Sequence, residues 1–214
     1  MTKQEIIDSL KDGLIVSCQA TPSEPHYMPG VVEMFARCAE WAGAAGLRID
    51  SPENVRAVKK EVNLPVIGIW KIDRNIKDVY LTPSLEAAKA VWDAGAEIIA
   101  IQATHHYRDD GKLSYETIKE VKENIPEALI FADVCTAEDA RIAAEYGADF
   151  VAPTLQNYTQ AGCFDKLEIK DAPDLKLVRD IVEAIKGTNA KLIMEGKVAT
   201  PEMAIQCLYL GAHA

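Results

Sequence analysis

The chain has 214 residues, about one to one and a half domains by length alone. Lys and Arg number 23 against 33 Asp and Glu, so the formal net charge is −10 and the sequence pI is about 4.9. Hydrophobic residues make up 49% and charged residues 26%. That balance excludes an intrinsically disordered chain, and the acidity argues against gripping a nucleic-acid backbone, which requires Lys and Arg. A small phosphate held at one local site remains compatible with it.

The opening residues, MTKQEIIDSLKDG, are polar and helix-like, with no secretory pattern. No apolar stretch approaches the roughly 18 residues of a membrane helix, so a cytoplasmic protein with no membrane contact is expected. The five cysteines, Cys18, Cys38, Cys135, Cys163 and Cys207, are scattered and form no CxxC pair. Reduced, mostly buried thiols are the reading.

Short apolar runs then alternate with amphipathic segments. GLIVSCQ (13–19) reads as a strand and 31–44 as a helix. AGLRI (45–49) is the next strand and 51–62 the next helix, with Ser51 as its cap and Pro52 at its first position. PVIGIWK (65–71) is a strand, followed by a connection with its own extended piece, VYLTP, and a helix over 83–95. Strand 97–104, helix 114–125, strand 128–134 and helix 136–147 continue the alternation. Strand 149–154, a longer loop, helix 172–187, strand 190–196 and helix 200–211 complete it.

Strands apolar on both faces and joined by helices imply a parallel sheet covered by helices. Two windings fit: a TIM (β/α)8 barrel, or an open doubly wound sheet. The phrases DAGAEIIAIQAT and EYGADFVAPT repeat one pattern, helix end, Gly-Ala, acid and strand, and LYLGAHA begins a third copy. An eighth strand directly after Ala214 is therefore expected, and eight is the barrel number. Residues 1–214 read as a single domain of seven βα units.

In a βα barrel the chemistry gathers at the carboxyl ends of the strands. Those ends carry Gln19, Arg48 and Asp50, Lys71, Gln102 and Thr104, Asp133, Thr154 and Gln156, and Glu195. Lys71 ends an apolar strand, where desolvation can make an amine a usable base; a Schiff base or a rim ion pair with Asp133 or Asp73 would suit the same place. Glu195 also ends an apolar strand and is a candidate acid. Gly196 permits a close backbone approach to an anion. The His105–His106 pair lacks metal-ligand spacing and reads as part of a mouth loop. No GxGxxG, GxxxxGK[ST] or GxSxG pattern occurs.

Taken together, GLIVSCQATPSEP, GLRIDS, VIGIWKID, EIIAIQAT, FADVCTAEDA, PTLQNYT and MEGKVATPEMA resemble, in order and spacing, the N-acetylmannosamine-6-phosphate 2-epimerase family. The resemblance implies a phosphate-binding TIM barrel. It implies interconversion of N-acetylmannosamine 6-phosphate and N-acetylglucosamine 6-phosphate in sialic acid catabolism, with a phosphorylated amino sugar as the partner and no cofactor. It casts Lys71 as the proton-transferring lysine, Glu195 as its acid partner, and Asp133 as the carboxylate that positions sugar hydroxyls or Lys71. Gln19, Arg48, Tyr158 and Thr154 become substrate contacts, with the Arg48 guanidinium alternatively suited to the phosphate, and Gly196 becomes a phosphate-loop glycine. Homodimers are compatible with this barrel type, though no residue marks an interface. The chain departs from the family pattern at Gln102, His105, Gln156 and Asn157, all around the expected mouth.

Overall fold

The structure, a computed structural model, describes residues 1–73, 78–156 and 172–214. Helix α1 (Lys3–Leu10) precedes β1 (Ile15–Cys18), α2 (Val31–Trp41), β2 (Gly46–Asp50), α3 (Pro52–Val58) and β3 (Val66–Ile69). Then come α4 (Leu85–Asp93), β4 (Ile98–Gln102), α5 (Glu116–Asn124), β5 (Leu129–Asp133) and α6 (Ala137–Glu145). β6 (Phe150–Ala152), α7 (Leu175–Ala184), β7 (Lys191–Leu192) and α8 (Pro201–Tyr209) finish the series. The expected alternation is present; most element ends fall one to four residues inside the expected bounds, while α2 starts at the expected Val31 and β2 runs one residue further, to Asp50. Helix starts are set by side-chain caps: Ser51, Ser84, Thr136 and Thr200 each accept a hydrogen bond from the third helical amide.

All neighbouring strands pair in parallel, in the order β1 to β7 without a reversal. A doubly wound sheet reverses its order at a switch point. The chain therefore adopts the barrel winding. Curvature is visible at the inner face, where Ile15 of β1 and Ile193, just past β7, line one cavity of about 60 Å³ although their strands are not bonded neighbours.

Alternation along each strand divides the apolar residues into two layers. Ile67, Ile69, Ile98, Leu129, Phe131 and Phe150 form the inner core. Leu47, Ile49 and Val66 belong to an outer layer beneath the helices. Helix α1 plugs the amino-terminal mouth: Ile6 and Leu10 join the inner core, and Lys3 Nζ donates to the Ala128 carbonyl at 3.0 Å. The carboxyl-end mouth stays open.

The repeated Gly-Ala-acid phrase has a physical role at the strand starts. Glu97 accepts the Val66 amide at 2.9 Å and the Lys59 ammonium at 2.6 Å. Asp149 does the same for the Ile130 amide at 2.8 Å and Lys122 at 2.7 Å. Each acid ties its own strand to the preceding strand and to a helix. In the third copy His213 stands at the acid's position. Its amide donates to the Leu192 carbonyl at 2.6 Å, its carbonyl accepts from Asp12, and the Met194 amide donates to the Ala214 carbonyl. A slot of about 540 Å³ lies between Gly13–Ser17 and Ile193–Val198, with Cys207 and Leu208 of α8 on its wall. β7 is shorter than the expected 190–196 strand because the slot, rather than a bonded strand, flanks it beyond Leu192.

Cys18, Cys135 and Cys207 are buried, as expected of most of the cysteines, and Cys38 is exposed; Cys163 lies outside the described residues. Among the described residues, no helix is long and apolar enough to cross a membrane.

Candidate active site

Side chains two residues apart on a strand share a face, so the inner-core residues set the phase of the strand ends. Ile69 puts Lys71 inward, Ala100 puts Gln102 inward, and Phe131 does the same for Asp133. Ala152 and Ile193 do so for Thr154 and Glu195. On β2 the outward pair Leu47 and Ile49 leaves Arg48 and Asp50 facing in. These predicted polar residues thus reach one mouth from six different strands.

Arg48 is the hub. It is 3% exposed, and its Nη1 and Nη2 donate to Asp133 Oδ1 at 2.9 Å and Oδ2 at 2.8 Å. Nη1 also donates to Glu195 Oε2, while the guanidinium carbon lies 5.0 Å from the centre of the Phe131 ring. The Arg48 Nε is buried with no hydrogen-bond partner among the described residues. Burial opposes the Arg48 charge, but Asp133 and Glu195 outweigh it and hold the guanidinium above its ordinary value.

Glu195 is the more accessible carboxylate of this trio, its side chain 29% exposed. Burial pushes its carboxyl above the ordinary range and the Asp133 charge adds to the push; Arg48 acts in the opposite direction without cancelling it. Thr154 Oγ1 donates to Glu195 Oε2 at 3.4 Å. On the other side, Lys71 Nζ donates to Gln19 Oε1 and lies 3.9 Å from Asp50 Oδ2. Asp50 also accepts the Lys71 backbone amide at 3.0 Å. Burial raises the Asp50 carboxyl, and Lys71 opposes this.

A cleft of about 210 Å³ opens between these groups, lined by Lys71, Gln19, Glu195, Arg48 and Thr154 among others. Gly196 forms part of its rim, and both Glu195 and Gly196 also border the slot between β1 and β7. Gly196 has φ +103° and Lys197 φ +58°, a pair of backbone turns that glycine eases at the first position.

Not every predicted residue reaches the cleft. Asp133 is fully buried and stands behind Arg48, so its link to the cleft runs through the guanidinium. Both Asp133 oxygens are engaged by Arg48, and Lys71 has Gln19 and Asp50 as neighbours. His105 turns to Asp139 at 3.6 Å and His106 to Thr104 at 3.0 Å; neither borders the cleft. Gln156 donates to Asp174. Tyr158 and Asn157 lie outside the described residues. Tyr80 and Leu81 do line the cleft, and sequence reasoning missed them as site residues. Their signal was the extended VYLTP piece, which pairs back on the end of β3 through a bridge between Lys71 and Leu81.

The family model described as "Putative N-acetylmannosamine-6-phosphate epimerase", NanE, matches residues 31–214. A "Putative N-acetylmannosamine-6-phosphate 2-epimerase" of Caldanaerobacter subterraneus subsp. tengcongensis is 38% identical over 212 residues, 99% of this chain and 86% of that protein. A protein of the same description from Lactiplantibacillus plantarum is 34% identical over 99% of this chain and 90% of its own length. The solved structure of the N-acetylmannosamine-6-phosphate 2-epimerase from Clostridium perfringens superposes with a TM-score of 0.86 at 28% identity, covering 98% of this chain and 87% of that one. Deoxyribose phosphate aldolase from Aeropyrum pernix, at 14% identity and a TM-score of 0.65, shares the fold. The chain belongs to the N-acetylmannosamine-6-phosphate epimerase family.

Proposed function

We propose that the chain is a cofactor-independent isomerase that interconverts N-acetylmannosamine 6-phosphate and N-acetylglucosamine 6-phosphate. The observation that carries this reading is that Lys71 and Glu195 line one cleft. The two sugars differ only in configuration at C2 and have the same oxidation state. In the open-chain form C2 adjoins the C1 aldehyde, so loss of its proton leaves an enolate whose charge rests on O1. Lys71 Nζ takes the C2 proton, and a proton returned to the opposite face gives the other epimer. Glu195, its carboxyl kept protonated more readily by burial, gives a proton to the ring oxygen and takes the O1 hydroxyl proton as the ring opens; protonated again, it donates a hydrogen bond to O1 as charge develops there.

Arg48 and Asp133 act as one unit that fixes Glu195. Both Arg48 terminal nitrogens are engaged there, which favours a positioning role over phosphate binding. The phosphate end of the sugar falls at Gly196, where the cleft meets the slot. Gln19 and Thr154 contact sugar hydroxyls, and Tyr158 keeps the substrate-contact role that the family resemblance implies. The same reading takes residues 1–214 as one barrel domain of seven βα units, with the slot as the place of an eighth.

Proton NMR of the purified chain with N-acetylmannosamine 6-phosphate tests the function. The second epimer should accumulate, and Lys71→Ala and Glu195→Gln should each slow this by at least about 100-fold. Absence of turnover in the unaltered chain would overturn the reading.

A further inference from the structure

The connection after β3 returns toward the mouth as an extended strap, Asp78–Thr82, laid against the ends of β3 and β4. On the β3 side the Ile72 amide donates to the Tyr80 carbonyl at 2.9 Å, and the Thr82 amide donates to the Trp70 carbonyl at 2.8 Å. On the β4 side the main contact is one side chain. Gln102, 1% exposed, accepts the Tyr80 amide at 3.1 Å and the Leu81 amide at 3.4 Å on Oε1. Its Nε2 donates to the Asp78 carbonyl at 2.6 Å, and its backbone amide donates to the Leu81 carbonyl at 3.0 Å. The strap then carries Tyr80 and Leu81 into the wall of the cleft that holds Lys71 and Glu195.

Only a carboxamide fits this position. It offers an acceptor to two backbone amides and a donor to one carbonyl at the same time. A carboxylate would turn an acceptor oxygen toward the Asp78 carbonyl, and an apolar side chain would leave the Tyr80 amide, the buried Leu81 amide and the Asp78 carbonyl without this partner. We infer that Gln102 is a positioning residue that sets the cleft wall through the strap, and that Tyr80 is the strap's substrate-contacting, specificity-determining side chain. Gln102 itself has no path to the sugar: its amide is consumed by the strap. The sugar part of this inference rests on the epimerase reading above; the clip itself does not.

Two measurements test it. Amide hydrogen exchange on the ligand-free protein should show faster exchange at Tyr80 and Leu81 in Gln102→Met, with β5 and β6 amides unchanged. Steady-state kinetics should show KM for N-acetylmannosamine 6-phosphate raised about tenfold in Gln102→Met and in Tyr80→Ala, with kcat within about twofold. The double variant should be no worse than Tyr80→Ala alone, because Gln102 acts through Tyr80. A loss of folded protein would lower apparent kcat and leave KM unchanged. If Gln102→Met does not fold, Gln102→Asn, which keeps the amide but draws it back by one methylene, carries the same expectation. Unchanged exchange would overturn the clip. Unchanged KM, or effects that multiply in the double variant, would overturn the positioning role even where the unaltered chain is active. An inactive unaltered chain would instead sink the epimerase reading and the Tyr80 role with it, leaving the clip to stand or fall on the exchange result.

Discussion

Arg48 engages Asp133 with both arms of its guanidinium, at 2.9 and 2.8 Å, and turns one of those arms to Glu195 as well. Asp133 is wholly buried and Glu195 reaches the cleft, so a charge deep under the mouth fixes the orientation of a group at its surface. Removing one member of a buried pair leaves the other charge uncompensated. Asp133→Ala should therefore cost about 3–5 kcal/mol in urea unfolding. Replacing both partners, as Arg48→Met with Asp133→Leu, should recover much of that stability without recovering turnover. Equal loss of stability in the single and double variants would contradict the coupling.

Glu195 also sets a pH dependence. Its folded carboxyl titrates above the ordinary range because of burial, so the folded state binds more protons than the unfolded state between the two values. Its contribution to stability falls as pH rises through that window. Asp50, raised by burial as well, acts with the same sign. Glu195→Gln should flatten this part of the stability profile in urea melts taken at a series of pH values. In turnover, a carboxyl needed as the acid gives a rate that declines as pH climbs past its folded pKa.

Gly68 tests the outer packing. A methyl group there would stand 2.3 Å from Val91 Cγ1 on α4 and 2.8 Å from Ala96 Cβ. Overpacking of this kind costs about 1–3 kcal/mol. Gly68→Ala should lower the unfolding midpoint accordingly and leave KM unchanged, because the glycine faces the helices rather than the cleft.

Gly196 separates conformation from contact. A methyl group there meets no neighbouring atom, yet φ is +103°. Gly196→Ala should cost about 1–3 kcal/mol through backbone strain alone. If the phosphate sits at this turn, KM for the phosphosugar should also rise. Stability lowered with KM unchanged would move the phosphate elsewhere.

Much of this arrangement is legible in period-two alternation. Once Ile69, Phe131 and Ile193 are taken as inward, Lys71, Asp133 and Glu195 must follow, and the structure places them so. The Gly-Ala-acid phrase likewise marks the strand starts, while the bonds its acids make, Glu97 to Val66 and Asp149 to Ile130, show only in the structure. What stays hidden is partnership across the sheet. Arg48 and Asp133 are 85 residues apart, and only curvature decides that the guanidinium meets Asp133 rather than a phosphate. Gln102 reads as one more mouth residue until the backbone of Asp78–Leu81 is seen to occupy its amide. His105 reads the same way until Asp139 is found 3.6 Å from it.

The proposed epimerisation turns on Lys71 moving the proton at C2. Turnover of N-acetylmannosamine 6-phosphate in deuterated water, followed by NMR, reads that step directly. Deuterium is expected at C2 of the product, with incorporation and epimerisation both reduced at least about 100-fold in Lys71→Ala. A Lys71→Ala chain that exchanges and epimerises at the unaltered rate would contradict it.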